Sequence, residues 1–229
     1  MKKKFNLQTG DGVQDIVLNI SEMYNVGYAG RDQEVTRKHI EELAALGVDV
    51  PKHIPTIYPV SSVNITTDGE IEVIHGKTSG EVEYVIFVSG GKKYISVGSD
   101  HSDRALETTS VPMAKQICLN TVADTVWDYD ELKTDFDALE MRSYVTKNDA
   151  EELYQEGTLA ELLAPDQLIE KIESYLGRKL DDAVIYSGTL PTKNGMVYGE
   201  KFAYELVDRA RDRRLSGAYQ IKCLPEPWD

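Results

Sequence analysis

Residues 82–97 alternate and then reverse: Val82 to Val88 is an apolar run broken by Glu83, Ser89-Gly90-Gly91-Lys92 turns the chain, and Tyr94-Ile95-Ser96-Val97 resumes it. This pattern predicts a β-hairpin closed by glycines. Glu81 and Glu83 stand two apart, so on a strand both carboxylates leave one face, the face that continues into Val85 and Phe87. Acids that run into an apolar interior require a partner, and a cation is the natural one. The hairpin leads directly to Gly98-Ser99-Asp100-His101-Ser102-Asp103-Arg104, where a third carboxylate returns beside the first two.

Elsewhere the pattern is read in the same way. Residues 5–22 form a strand pair around Gly10-Asp11-Gly12. Residues 33–46 have helical character, with Asp32 as N-cap and Gly47 as stop, and His39 and Glu42, three apart, share one side. Pro51, Pro55 and Pro59 confine residues 48–59 to a connector. Residues 64–74 read as a strand pair turning at Thr67-Asp68-Gly69-Glu70. Residues 110–127 read as a helix with the stripe Val111, Ala114, Cys118, Val122 and Val126, and Lys115 lies on or beside it. Residues 127–176 read as acidic helices over 128–139, 149–155 and 166–176, the last stopped by Gly177, with their acids on solvated faces. A short apolar strand over 182–187 ends in Gly188-Thr189, and strands over 201–208 and 215–224 close the chain. The expected class is α+β, a mixed or antiparallel sheet with helices at its margins.

Charge narrows the partners. The 229 residues carry 25 basic and 39 acidic side chains, a net charge of -14, which repels phosphate backbones and anionic surfaces; neither nucleic acid nor membrane is expected as a partner. Met1-Lys2-Lys3-Lys4-Phe5 is followed by no apolar segment, and no run has transmembrane length. Cys118 and Cys223 offer neither a disulfide framework nor metal-ligand spacing, and a reduced cytoplasm is the expected location.

Taken in order, Glu81-Val82-Glu83, Asp100-His101-Ser102-Asp103-Arg104, Ala114-Lys115 and Ser187-Gly188-Thr189 resemble the metal-site pattern of the fumarylacetoacetase-like superfamily. The resemblance spans residues 30–190, with the shortened intervals of a divergent branch. It implies a single domain over 1–229, with N-terminal strands (1–30), a lid helix (31–47), a metal-site core (60–126), a helical insert (128–177) and C-terminal strands (182–229). The implied fold is a mixed β-sheet roll with peripheral helices, and the implied assembly is a homodimer. A divalent cation, Mg²⁺ or else Mn²⁺ or Ca²⁺, is implied on Glu81, Glu83 and Asp100, in keeping with an all-oxygen donor set.

The same resemblance implies catalytic roles for Lys115 and for a His39–Glu42 dyad, and substrate contacts from Arg31, Ser102, Arg104, Gly188 and Thr189. Asp32 matches a fourth metal carboxylate found in part of the superfamily, while its local role is the helix cap. Where the superfamily carries an aromatic-x-Lys-Pro, this chain has Tyr58-Pro59-Val60-Ser61, which removes one expected substrate contact. The implied activity is on a small-molecule carboxylate, a 2-oxo or 2,4-dioxo acid, through an enolate at the metal. Hydrolysis of a C–C bond stands first; decarboxylation, dehydration and keto-enol isomerisation use the same core. On the residues alone, His39 and Glu42 also fit a solvated face beside Arg37, Lys38 and Glu41, and Lys115 fits a snorkelling lysine. The carboxylates also fit the surface of a non-catalytic binding or assembly module.

Overall fold

The computed structural model describes residues 1–45, 51 and 53–225. Its centre is the expected hairpin, strands Val82–Ser89 and Lys92–Asp100. Gly90 and Gly91 turn it at φ 60° and 75°, the left-handed pair that matches the twist of the flanking strands. Every position of Val82–Ser89 is buried. Its alternate side chains feed two cores: Tyr84, Ile86 and Val88 enter the larger, and Val85 and Phe87 enter the smaller, with Phe5, Val126 and Val184. A strand covered on both faces reads as a nearly continuous apolar run, and each large side chain so buried contributes about 1.5–3 kcal/mol.

The large mixed sheet runs Gly12–Asn19, Lys2–Thr9, Thr125–Asp128, Lys92–Asp100, Val82–Ser89, Ala183–Tyr186, Glu22–Gly27, Thr56–Val60. A second sheet runs Ala150–Thr158, Glu140–Lys147, Lys201–Asp208, Arg213–Cys223, Glu70–Val73. The larger core lies between them, where Tyr84 and Val97 share a cluster with Met141, Phe202 and Tyr219. The strand pair at the N-terminus and the closing strands match the expectation. The helix Gln33–Ala45 does so too, and Asp32 is its cap: Oδ1 accepts from the N–H of Glu34 at 3.1 Å and of Val35 at 3.0 Å.

Three stretches depart from the expectation. The helix expected over 110–127 stops early, at Val111–Ile117, after which Asn120–Val122 and Thr125–Asp128 pair antiparallel with Lys92–Asp100. Val122, Val126 and Trp127 are β-branched or aromatic, and the open flank of the central hairpin decides for strand. The helical insert expected over 128–177 is largely a hairpin, Glu140–Lys147 with Ala150–Thr158, turned by Asn148 at φ 51° and Asp149 at φ 62°. Of its expected helices, Pro165–Leu176 stands, ended by Gly177 at φ 67°, while 128–139 keeps only Tyr129–Leu132 and a short 3-10 turn. Strands Ile65–Thr66 and Glu70–Val73 do not pair with each other; they join Asn120–Val122 and Arg213–Cys223. Among the described residues no helix is long and apolar enough to cross a membrane.

Gly98 tests how tightly the hairpin is seated. A Cβ there would lie 2.3 Å from the Thr121 carbonyl oxygen and 3.1 Å from both Tyr186 and Val85. Gly98→Ala should therefore cost about 3 kcal/mol by forced backbone movement, whereas Gly69→Ala, with open space around it, should change urea unfolding little. Equal midpoints for the two variants would contradict this packing.

Candidate metal centre

Antiparallel pairing sets Val82 opposite Ser99 and Glu83 opposite Gly98, and the Asp100 N–H donates to the Glu81 carbonyl at 3.1 Å. The hairpin thus delivers all three predicted carboxylates to one end, with one oxygen of each lying within 4.8 Å of the others. Glu83 and Asp100 are 1% and 0% exposed; the Glu81 side chain keeps 22%. Lys115, buried on the helix Val111–Ile117, is in ionic contact with Asp100 Oδ2 and lies 3.4 Å from Glu81 Oε2. Arg104 donates to Glu81 Oε1 at 3.0 Å, to Ser79 Oγ at 2.7 Å and to Glu107 Oε2 at 2.9 Å.

The electrostatics are uneven. Burial alone would raise the Glu81 carboxyl, but Arg104 and Lys115 overcome this and hold it at about 2. Burial, reinforced by the Asp100 charge, pushes Glu83 well above the carboxylate range; the Lys115 charge and, less, the N–H of Gly188 at 2.9 Å oppose it too weakly. Burial raises Asp100 as well, against the pull of Lys115. For Lys115, burial favours the neutral form, and the attraction of Asp100, Glu81 and Glu83 outweighs it, so the ammonium is held charged. Oδ1 of Asp100 is buried and has no hydrogen-bond partner among the described residues. An orphaned carboxylate oxygen beside two further acids, all hard oxygen donors, fits a divalent hard cation.

The remaining predicted residues divide. Thr189 lines the pocket over the centre, where its hydroxyl donates to the Val82 carbonyl at 2.7 Å. Gly188 sits at φ 88°, pressed so close to Ala29 and Val26 that a Cβ would clash at 2.8 Å and 2.9 Å; its N–H, expected to meet a substrate, goes to Glu83. Arg104 anchors Glu81 from behind. Ser102 is buried, with its hydroxyl unpaired among the described residues. Arg31 turns away: its guanidinium bonds Asp137 and the carbonyls of Leu159 and Leu162. The side chains of His39 and Glu42 lie outside the described residues.

The pocket over the carboxylates measures about 280 Å³ and is flanked by Tyr28 and Tyr58. A larger cavity of about 540 Å³, lined by Ile57, Tyr175 and Leu176 among others, holds none of the three acids. The smaller one is lined by Glu81, Glu83 and Lys115.

A family model described as "Protein of unknown function (DUF2848)" matches residues 26–219. The chain belongs to this family. No curated protein matches it in sequence. Similar solved structures include a 2-keto-3-deoxy-D-arabinonate dehydratase complexed with magnesium and 2,5-dioxopentanoate (TM-score 0.63, 15% identity, 93% of this chain and 77% of that one). Another is yeast ynq8, a fumarylacetoacetate hydrolase family protein (TM-score 0.60, 14% identity, 92% and 96%). A third is Cg1458 (TM-score 0.64, 13% identity, 98% and 100%). At such identities the likeness shows the fold, and that fold is the fumarylacetoacetase-like one expected from the order of the motifs.

In this member of the DUF2848 family, a buried polar relay that the pattern did not reveal supports the centre. The Glu81 N–H donates to Ser99 Oγ at 3.2 Å, Ser99 Oγ meets Tyr219 OH at 2.9 Å, and Tyr219 OH meets His101 Nδ1 at 2.9 Å. Burial holds His101 neutral, down at about 3. Gln155, also buried, accepts from the Val82 N–H at 3.1 Å and donates to Thr189 Oγ1 at 2.8 Å. Tyr219 and Gln155 belong to the second sheet, more than fifty residues from the hairpin in sequence. Only the neighbouring Ser99 and His101 fell within the motif stretch.

Glu83 sets the pH behaviour. Its pKa is raised on folding, so the metal-free fold holds a proton that the unfolded chain has lost, and stability falls as pH rises from 4.5 through the folded value. Glu81, depressed to about 2, acts oppositely: its contribution is present above 4.5 and is lost as pH falls toward about 2. Metal uptake should displace the Glu83 proton, seen calorimetrically as a buffer-dependent heat. Glu83→Gln should stabilise the EDTA-treated protein at about pH 8 while abolishing that heat. A Gln variant less stable than the parent under those conditions would refute the assignment.

Proposed function

We propose that the chain is a divalent-metal-dependent enzyme acting on a 2-oxo or 2,4-dioxo acid, with hydrolysis of a C–C bond as the reaction. The observation that carries this reading is the buried Asp100, one oxygen bound to Lys115 and the other without a partner among the described residues, beside Glu81 and Glu83. A Mg²⁺, Mn²⁺ or Ca²⁺ held there supplies Lewis-acid stabilisation of enolate charge. Lys115, kept charged by its carboxylates, adds a second positive group beside that charge. Thr189 Oγ1 is held at the pocket wall by Val82 and Gln155.

The water-activating role falls to His39 and Glu42. In its support, Thr36 lines the pocket, so the helix Gln33–Ala45 borders it, and position 39 follows one turn later. On this reading His39 takes a proton from water as the oxygen attacks the distal carbonyl; the adjacent C–C bond breaks and its electron pair passes into the enolate, which is then protonated. Dehydration on the same centre is the second reading, supported by the dehydratase of like fold that holds magnesium. A non-catalytic module is disfavoured, because surface decoration does not require two acids and a lysine to be buried together.

Two variants separate these readings. Lys115→Ala should lower turnover by about 10²- to 10³-fold whichever reaction operates. His39→Ala should lower it by about 10²- to 10⁴-fold only where water is consumed. Full activity in His39→Ala beside a dead Lys115→Ala would move the assignment to decarboxylation, dehydration or isomerisation. We also take the homodimer implied by the resemblance as the working unit; light scattering should return twice the 25.7 kDa chain mass, and a monomer mass would refute it.

A further inference from the structure

An open sheet edge carries unpaired N–H and C=O groups that accept a further strand unless the edge is blunted or covered. Among the described residues, the main paths of the two large sheets end in four strands, and three of these are blunted. Thr56–Val60 contains Pro59, Glu70–Val73 is four residues long with two glutamates, and Ala150–Thr158 carries Glu151, Glu152 and Glu156. The fourth, Gly12–Asn19, is eight residues long, has neither proline nor lysine, and bears one charge, Asp15. Val13 and Val17 stand 65% and 52% exposed on it. Its backbone is aimed outward at alternate residues. Met1 and Ile20 exchange backbone hydrogen bonds, the Ile20 N–H meeting the Met1 carbonyl at 2.8 Å, so it is the even-numbered residues of Gly12–Asn19 that bond to Lys2–Thr9. The odd-numbered Val13, Asp15 and Val17 turn their N–H and C=O to the open edge, while the Asn19 N–H is taken by Ser89 Oγ at 3.0 Å.

We infer that this edge receives the same strand of a second copy of the chain, antiparallel about a two-fold axis at Ile16. Val17 then exchanges two hydrogen bonds with the partner's Asp15, and Asp15 two with the partner's Val17. Charge selects this register. Centring the axis on Asp15 would set the two aspartates directly opposite each other, a like-charge pair across the strands. With the axis at Ile16, Asp15 lies in line with the partner's Val17 and, one strand further on the same face, with the partner's Lys4, because Lys4 and Val17 are paired within each chain. Two strand spacings put those backbones about 10 Å apart, a gap that lysine and aspartate side chains close together. On the core side the partly buried Ile16 of each copy meets its counterpart. The inference rests on the homodimer reading above and gives that dimer its surface.

The test is sedimentation of the full chain over a dilution series, with circular dichroism as the check on folding. Val17→Pro removes an outward N–H and no hydrogen bond within the chain, so it should leave a folded monomer at concentrations where the parent is a dimer. Asp15→Lys and Lys4→Glu should each weaken self-association by about tenfold, since each turns two symmetry-related attractions into repulsions. Mixed in equal amounts, the two charge variants should regain nearly the parental affinity, because in the mixed pair both contacts again join opposite charges. A change confined to one chain's own fold could not be repaired by mixing, so this arm keeps the test informative if the proline variant folds poorly. A parent that sediments as a monomer overturns the homodimer reading and the edge with it. A parent dimer left intact by Val17→Pro and by both charge variants overturns only the edge assignment, as does a mixture no tighter than either variant alone.

Discussion

Three carboxylates meet at the end of one hairpin, two of them shut away from water, and that arrangement governs what surrounds them. An isolated buried carboxylate is too costly to keep ionised, so each must find a proton, a cation or a set of donors. Glu81 has Arg104 and Lys115, and Asp100 has Lys115. Those cations come from the two short helices that follow the hairpin, Arg104–Glu107 and Val111–Ile117. Their placement is therefore dictated by charge as much as by packing, for Met113 and Ile117 on the second helix stay largely exposed while Lys115 is buried.

The hairpin can carry this charge because both its faces are clamped. Val85 and Phe87 anchor it on one side, Tyr84 and Ile86 on the other, and Gly98 lets Thr121 and Tyr186 close over the position opposite Glu83. From the second sheet Tyr219 reaches Ser99 and His101, so the strand that carries Asp100 is gripped by a polar contact on either side of that residue. Outer contacts of this kind orient ligands and commonly govern affinity as strongly as the ligands do.

Legibility followed the range of the interactions. Glu81 and Glu83 were readable because a strand has period two, and the turn because two consecutive glycines permit one hairpin geometry. Arg104 and Lys115 were placed at the site by the order of motifs, since nothing in their own neighbourhood shows which acids they meet. Residues 149–155 were misread as helix because Glu151, Glu152 and Leu153 are compatible with either state; the Asn148-Asp149 turn and pairing of Ala150–Thr158 with Glu140–Lys147 decide for strand. Gln155 and Tyr219 went unseen for a related reason. A buried polar side chain on one sheet serves a site on the other, and that relation has no local period. Arg31 shows the converse: a residue in the right motif position is drawn off by Asp137 and two carbonyls.

Glu83 bears most directly on whether the centre is structural or functional. As an ion-pair network, Glu81 and Asp100 are already matched by Arg104 and Lys115, and a glutamine at position 83 would accept the Gly188 N–H without bringing a further charge. A glutamate there weakens the metal-free fold at neutral pH, because burial and Asp100 both resist its ionisation. Residues that cost stability persist where function depends on them. A divalent ion held by Glu83 and by the Asp100 oxygen that has no partner among the described residues would remove that cost. The third acid is thus understandable as a ligand and is hard to understand as part of a purely structural cluster.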